Sequence, residues 1–123
     1  SLSSWRAAVE LSPTTVAAHA NLASALAQCG QRRQAWDVLR RAVANVPNAA
    51  SLYSRMGAIL TAGQPLASLP PPAQRTAAVL ARVASRLEPQ DGSAWANLGL
   101  SLAAIGELRS ASRVYRRALA LSP

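Results

Sequence analysis

One histidine, one cysteine and five carboxylates, beside the hydroxyls of serine, threonine and tyrosine, are what this chain offers to acid–base, nucleophilic or metal chemistry. His19 and Cys29 together fall short of a zinc site, in which about four donors must converge. Glu10, Asp37, Glu88, Asp91 and Glu107 are scattered near prospective caps and turns. No paired spacing among them would supply a general acid and a general base. Ser51, Ser54 and Ser93 have no histidine-bearing triad around them. Gly57, Gly63, Gly99 and Gly106 do not form a phosphate-cradling glycine loop. We therefore expect no active site, metal or cofactor within these residues, so that any catalysis would belong to a neighbouring domain.

What remains is cationic. The 123 residues carry a formal charge of +8, and all thirteen basic side chains are arginines. Arginine makes planar bidentate contacts and stacks on aromatic rings, which matters to a partner unless its exclusive use is only compositional bias. Half of the chain is hydrophobic, much of that is alanine, and there is no phenylalanine. This composition predicts an all-helical domain with a thin core, because alanine favours helix and lets helices approach closely. Cys29 has no internal disulfide partner, which leaves the redox compartment open. No apolar run approaches the ~20 residues that span a bilayer. The chain begins at Ser1, so it says nothing of a targeting segment.

Helical spacing and punctuation locate the elements that must position these groups. Thr14 and Thr15 can cap a helix over 16–28 after Pro13 has stopped what precedes it. Gly30 turns the chain into a second helix over 32–45, which carries Ala35, Leu39 and Ala42 at helical spacing. Further helices are expected over 50–62 and 74–87, then over 92–104, capped by Asp91, and over 108–121. Pro47, Pro89 and Pro123 stand where helices must already have ended. Short turns make each pair antiparallel. In the middle pair the stretch from Gln64 to Ala73 replaces a tight turn. Pro70, Pro71 and Pro72 predict an extended segment there, and Leu66 and Leu69 are candidates to fold back over the helices. A tolerated insertion and a projecting recognition element are both compatible with that composition.

One phrase recurs through these pairs. His19, Leu22, Ala23, Leu26, Gly30, Ala35, Leu39, Ala42 and Pro47 return at identical spacings as Trp95, Leu98, Gly99, Leu102, Gly106, Ala111, Tyr115, Ala118 and Pro123. Tyr53, Met56, Gly57 and Leu60 restart it, and Ala77, Ala81, Ala84 and Pro89 finish it. This pattern resembles the tetratricopeptide repeat (TPR), a helix–turn–helix unit of about 34 residues. The resemblance covers essentially the whole chain. It implies an all-α fold of antiparallel helix pairs stacked into a short right-handed α-solenoid. Residues 1–15 would form the second helix of a partial repeat, followed by repeats over 16–49, 50–91 and 92–123. The middle repeat contains a proline-rich insertion of about eight residues. His19 stands where the family carries a core-facing aromatic. Ala23, Gly57 and Gly99, with Ala35, Ala77 and Ala111, would mark the closest helix approaches, and Trp95 and Tyr115 would fill wider gaps. The array opens with half a unit and closes without a polar capping helix, as expected of a segment of something longer or of an array whose end packs elsewhere.

The resemblance also implies a function. First helices of such repeats line a groove that receives a peptide or an extended protein segment. The matching positions here include Asn21, Ser24, Gln28, Ser51, Ser54, Arg55, Asn97 and Leu100, beside small residues such as Ala20. Asn21 and Asn97 suit backbone hydrogen bonding, and Arg55 suits an acidic side chain or terminal carboxylate. Asn21 and Arg55 match two elements of the carboxylate clamp used by one subset of the family, but Ala20, Ser24 and Ser51 lack the rest. On the second helices, Arg6, Arg40, Arg82 and Arg116 are equivalent, as are Arg33, Arg75 and Arg109, and Arg41 and Arg117. Such stripes either solvate an alanine-rich surface or attract acidic partners. Nucleic acid is disfavoured, because the aromatics take core positions. The expected role is a non-catalytic protein–protein interaction scaffold. The alternative is a structural or self-association module packed against flanking domains.

Overall fold

The computed structural model describes residues 16–61 and 64–121. The expected half-unit over 1–15, with Arg6, the Thr14–Thr15 cap and Pro13, lies outside the described residues, as do Ala62, Gly63 and Pro123. The described residues form six α-helices and no strand: α1 (Val16–Gln28), α2 (Arg32–Asn45), α3 (Ala50–Leu60), α4 (Pro71–Leu87), α5 (Gly92–Ala104) and α6 (Leu108–Leu121). A short 3-10 turn, Leu66–Ser68, precedes α4. The chain divides into two compact units, one ending at Ile59 and the other beginning at Leu60.

In the first unit α1 packs on α2 through a turn that glycine makes possible. Gly30 adopts φ +80°, its N–H donates to the Ala27 carbonyl, and the Gln31 N–H reaches back to Leu26 at 2.9 Å. This Schellman arrangement satisfies carbonyls that a helix end otherwise leaves open. Ala23, Leu26, Ala35, Leu39 and Ala42 are buried, and α3 adds Leu52 and Met56. Each fully buried leucine contributes about 1.5–3 kcal/mol relative to exposure. α3 ends at Leu60, two residues before the expected boundary.

In the second unit α5 packs against both α4 and α6. The turn at Gly106 repeats the earlier one, with φ +86° and the Glu107 N–H bonded to the Leu102 carbonyl at 2.9 Å. Asp91 caps α5 as expected, its Oδ1 accepting the Ser93 N–H at 3.0 Å. Leu98, Leu102 and Ala111 form the core, flanked by Ala81, Trp95, Val114 and Tyr115.

The proline stretch departs from expectation. Of the three consecutive prolines only Pro70 is extended, at φ −64° and ψ 153°, and Pro71 and Pro72 already occupy the first turn of α4. Proline is tolerated there because the first N–H groups of a helix have no intrahelical acceptor. α4 thus starts three residues earlier than expected. The preceding segment folds back rather than projecting: Gln74 Nε2 donates to the Leu66 carbonyl at 3.0 Å, the 3-10 turn packs on α5, and Leu69 is buried.

Close approach is likewise unequal among the small residues. A Cβ at Gly99 would lie 2.9 Å from Tyr115 Cε1, whereas one at Gly57 would meet nothing within 4 Å. Gly57 therefore does not mark a tight crossing, contrary to the expectation from the repeated phrase.

Candidate binding surfaces

The groove candidates of the first unit lie on α1 and α3. Asn21 and Ser24 are half-buried on α1, and Gln28, Ser51, Ser54 and Arg55 are exposed. Arg55 Nη1 donates to Ser24 Oγ, so the fold brings two of the anticipated residues together across the two helices. A guanidinium carries five N–H donors, so others on Arg55 remain for a ligand. Ala20 is only 5% exposed and belongs to the core, which removes it from the surface expected from its repeat position. Ala18, His19, Leu22 and Ala23 are buried as well, so α1 is covered on more than one face.

In the second unit Asn97 is exposed on α5, and its backbone carbonyl accepts from Ser101 Oγ at 3.0 Å. Leu100, 51% exposed, follows it on the same helix. These two residues present a mixed polar and apolar edge on α5.

The second helices carry the charge. Arg33, Arg40 and Arg41 are exposed on α2, Arg75 and Arg82 on α4, and Arg109, Arg116 and Arg117 on α6. Arg117 does more than solvate its helix, since its guanidinium lies 4.6 Å from the Trp95 ring centroid, within cation–π range. The Trp95 Nε1–H in turn donates to the Pro89 carbonyl at 2.9 Å. Tyr53 repeats this arrangement, its hydroxyl donating to the Pro47 carbonyl at 2.6 Å.

Sequence reasoning missed a cleft of about 260 Å³ in the second unit. Arg82 and Arg86 of α4 and Arg113 of α6 rim it, and Leu98 and Leu102 of α5 with Val114 of α6 lie at its apolar side. Arg86 and Arg113 do not recur at equivalent positions, since Ala120 and Val79 stand in their places in the other pair. Their common surface exists only once α4 and α6 flank α5.

His19 is 4% exposed and Cys29 is exposed at the end of α1. Among the described residues no cluster of three or more His, Cys, Asp or Glu side chains could hold a metal, and no helix is long and apolar enough to cross a membrane. Every buried side-chain nitrogen and oxygen among them has a hydrogen-bond partner.

Paired helices joined by glycine turns, with small residues at the pattern positions, define the class as an all-α helical repeat of TPR type. No family model and no curated protein sequence matches the chain. Among solved structures, it is similar to MamA, a TPR-like helical protein. One MamA crystal structure aligns with TM-score 0.78 at 18% identity over 99% of this chain and 67% of the other. A second gives 0.77 at 22% identity, over 98% of this chain and 61% of that one. MamA residues 41 to the end from Desulfovibrio magneticus RS-1 give 0.74 at 18% identity, over 98% and 63%. The chain therefore spans only about two thirds of the length of these proteins, and the likeness concerns the fold.

Proposed function

We propose that this chain is a non-catalytic protein-interaction scaffold that binds a peptide or extended protein segment along its first helices. On this reading 16–49, 50–91 and 92–123 act as successive repeats of one array. The observation that carries the proposal is the Arg55–Ser24 hydrogen bond, which holds an exposed guanidinium against α1 with further donors available. Asn21 nearby on α1 supplies both an amide donor and an acceptor for a peptide backbone. The likeness to MamA, as a TPR-like protein, supports a scaffold more than an enzyme.

Pull-down with the full-length protein, followed by a peptide taken from the captured partner, provides the test. Replacing Arg55 and Asn21 together with alanine is expected to weaken that peptide at least about fivefold, the scale of one charge-assisted hydrogen bond. Helicity should be unchanged. Undiminished affinity would remove the assignment to α1 and α3. Light scattering across protein concentration separates this role from self-association, which requires the mass to rise with concentration.

A further inference from the structure

The cleft between α4 and α6 has no part in the groove reading, and its chemistry is unusually one-sided. Arg82 and Arg86 lie one helical turn apart and leave the same face of α4, while Arg113 approaches from α6. No carboxylate lines the cleft. The Ser85 hydroxyl, fully buried in its wall, donates to the Arg82 carbonyl at 2.8 Å and so is already engaged. Three guanidinium groups gathered without an acid repel one another, a cost that an anionic ligand would relieve.

The apolar side narrows the class of ligand. Half-buried Val114 offers an apolar surface for one aliphatic side chain, over a floor formed by the buried Leu98 and Leu102. The cleft is smaller than the pockets of about 300–1,000 Å³ that enclose small molecules, which favours one side chain of a longer segment over a buried metabolite. Nucleic acid fits less well. Trp95, the aromatic at this cleft, already carries Arg117 at its ring and donates its N–H to Pro89, so it makes a poor platform for stacking bases.

We propose that this cleft docks an acidic peptide segment in which an aliphatic residue is flanked by carboxylates. The aliphatic side chain rests against Val114 over the buried Leu98 and Leu102, and the carboxylates pair with Arg82, Arg86 and Arg113. The site lies wholly within the second unit and is separate from Arg55 and Asn21.

Fluorescence anisotropy with a fluorescein-labelled Asp-Glu-Leu-Asp-Glu peptide and the whole chain tests it at about 0.1 M salt. Arg82→Glu with Arg113→Glu should weaken binding more than about tenfold. Arg33→Glu with Arg40→Glu makes the same change in net charge on α2 and should weaken it less than about threefold. Replacing the peptide leucine by serine should cost several-fold. Equal losses in the two charge-reversal pairs would overturn the site, as would absence of binding to the unaltered chain. An equally charged single-stranded oligonucleotide that binds more tightly and displaces the peptide would overturn the peptide assignment. Circular dichroism melts verify folding, and Arg82→Gln with Arg113→Gln gives the same reading if charge reversal unfolds the chain. Arg55→Ala with Asn21→Ala should leave this binding intact, so failure of the groove and failure of the cleft are distinguishable.

Discussion

Gly99 faces the Tyr115 ring so closely that an added methyl would sit 2.9–3.0 Å from three of its carbons. The ring must then move within the core of the second unit, a strain of about 1–3 kcal/mol. That opposes the ~1 kcal/mol by which alanine exceeds glycine in helix propensity. Gly57 faces no such obstacle, so only the propensity term acts there. We expect Gly99→Ala to lower stability in urea unfolding and Gly57→Ala to raise it by about 0.5–1 kcal/mol. In a Tyr115→Ala background the Gly99→Ala substitution should become stabilising, and a persistent loss there would reject the steric account. The repeated phrase treats both glycines alike, because sequence period reports which face a residue occupies. It does not report the distance to the opposing helix. Ala20 carries the same lesson, since its repeat position suggests a surface whereas packing around α1 buries it.

At the scale of elements, local chemistry made much of the fold legible. The expected limits of α1, α2, α5 and α6 coincide with those observed, because Gly30, Gly106, Asp91 and the prolines after α2 and α4 act within a turn of themselves. α4 starts earlier than its composition suggests, because proline is both a breaker of helix interiors and a good opener of helices, and the local sequence does not choose between the two. Tyr53 and Trp95 show why the phrase can alternate between different aromatics. Each places a donor on the carbonyl of the proline six residues earlier, fastening the start of its helix to the preceding connection. His19 keeps the same sequence spacing from Pro13, which lies outside the described residues. Phenylalanine would fill the volume without the bond. Tyr53→Phe and Asp91→Ala are each expected to cost about 1 kcal/mol, measured as a lower denaturation midpoint with unchanged slope. A midpoint indistinguishable from that of the parent would mean that water replaces the lost partner fully.

For the whole molecule, charge is the dominant long-range property. Thirteen arginines face five carboxylates, and the described arginines are exposed. Net repulsion of this kind is screened by salt over about 10 Å at 0.1 M. Raising ionic strength from about 0.02 to 0.3 M should therefore raise the melting temperature. A fall would show that attractive pairs outweigh repulsion. The same screening should weaken acidic peptides at the α4–α6 cleft while leaving the Gly99–Tyr115 contact untouched. The sequence by itself determined the helical class, the turn-linked pairing of helices and most of the inward small residues. Those properties rest on period, composition and punctuation, which act locally. Only the tertiary structure decided that Arg55 meets Ser24, that Leu69 folds inward, and that Arg82, Arg86 and Arg113 share one cleft. These groups come from different turns or different helices. Their meeting depends on how packed side chains set the spacing between helices, a quantity that no stretch of sequence carries alone.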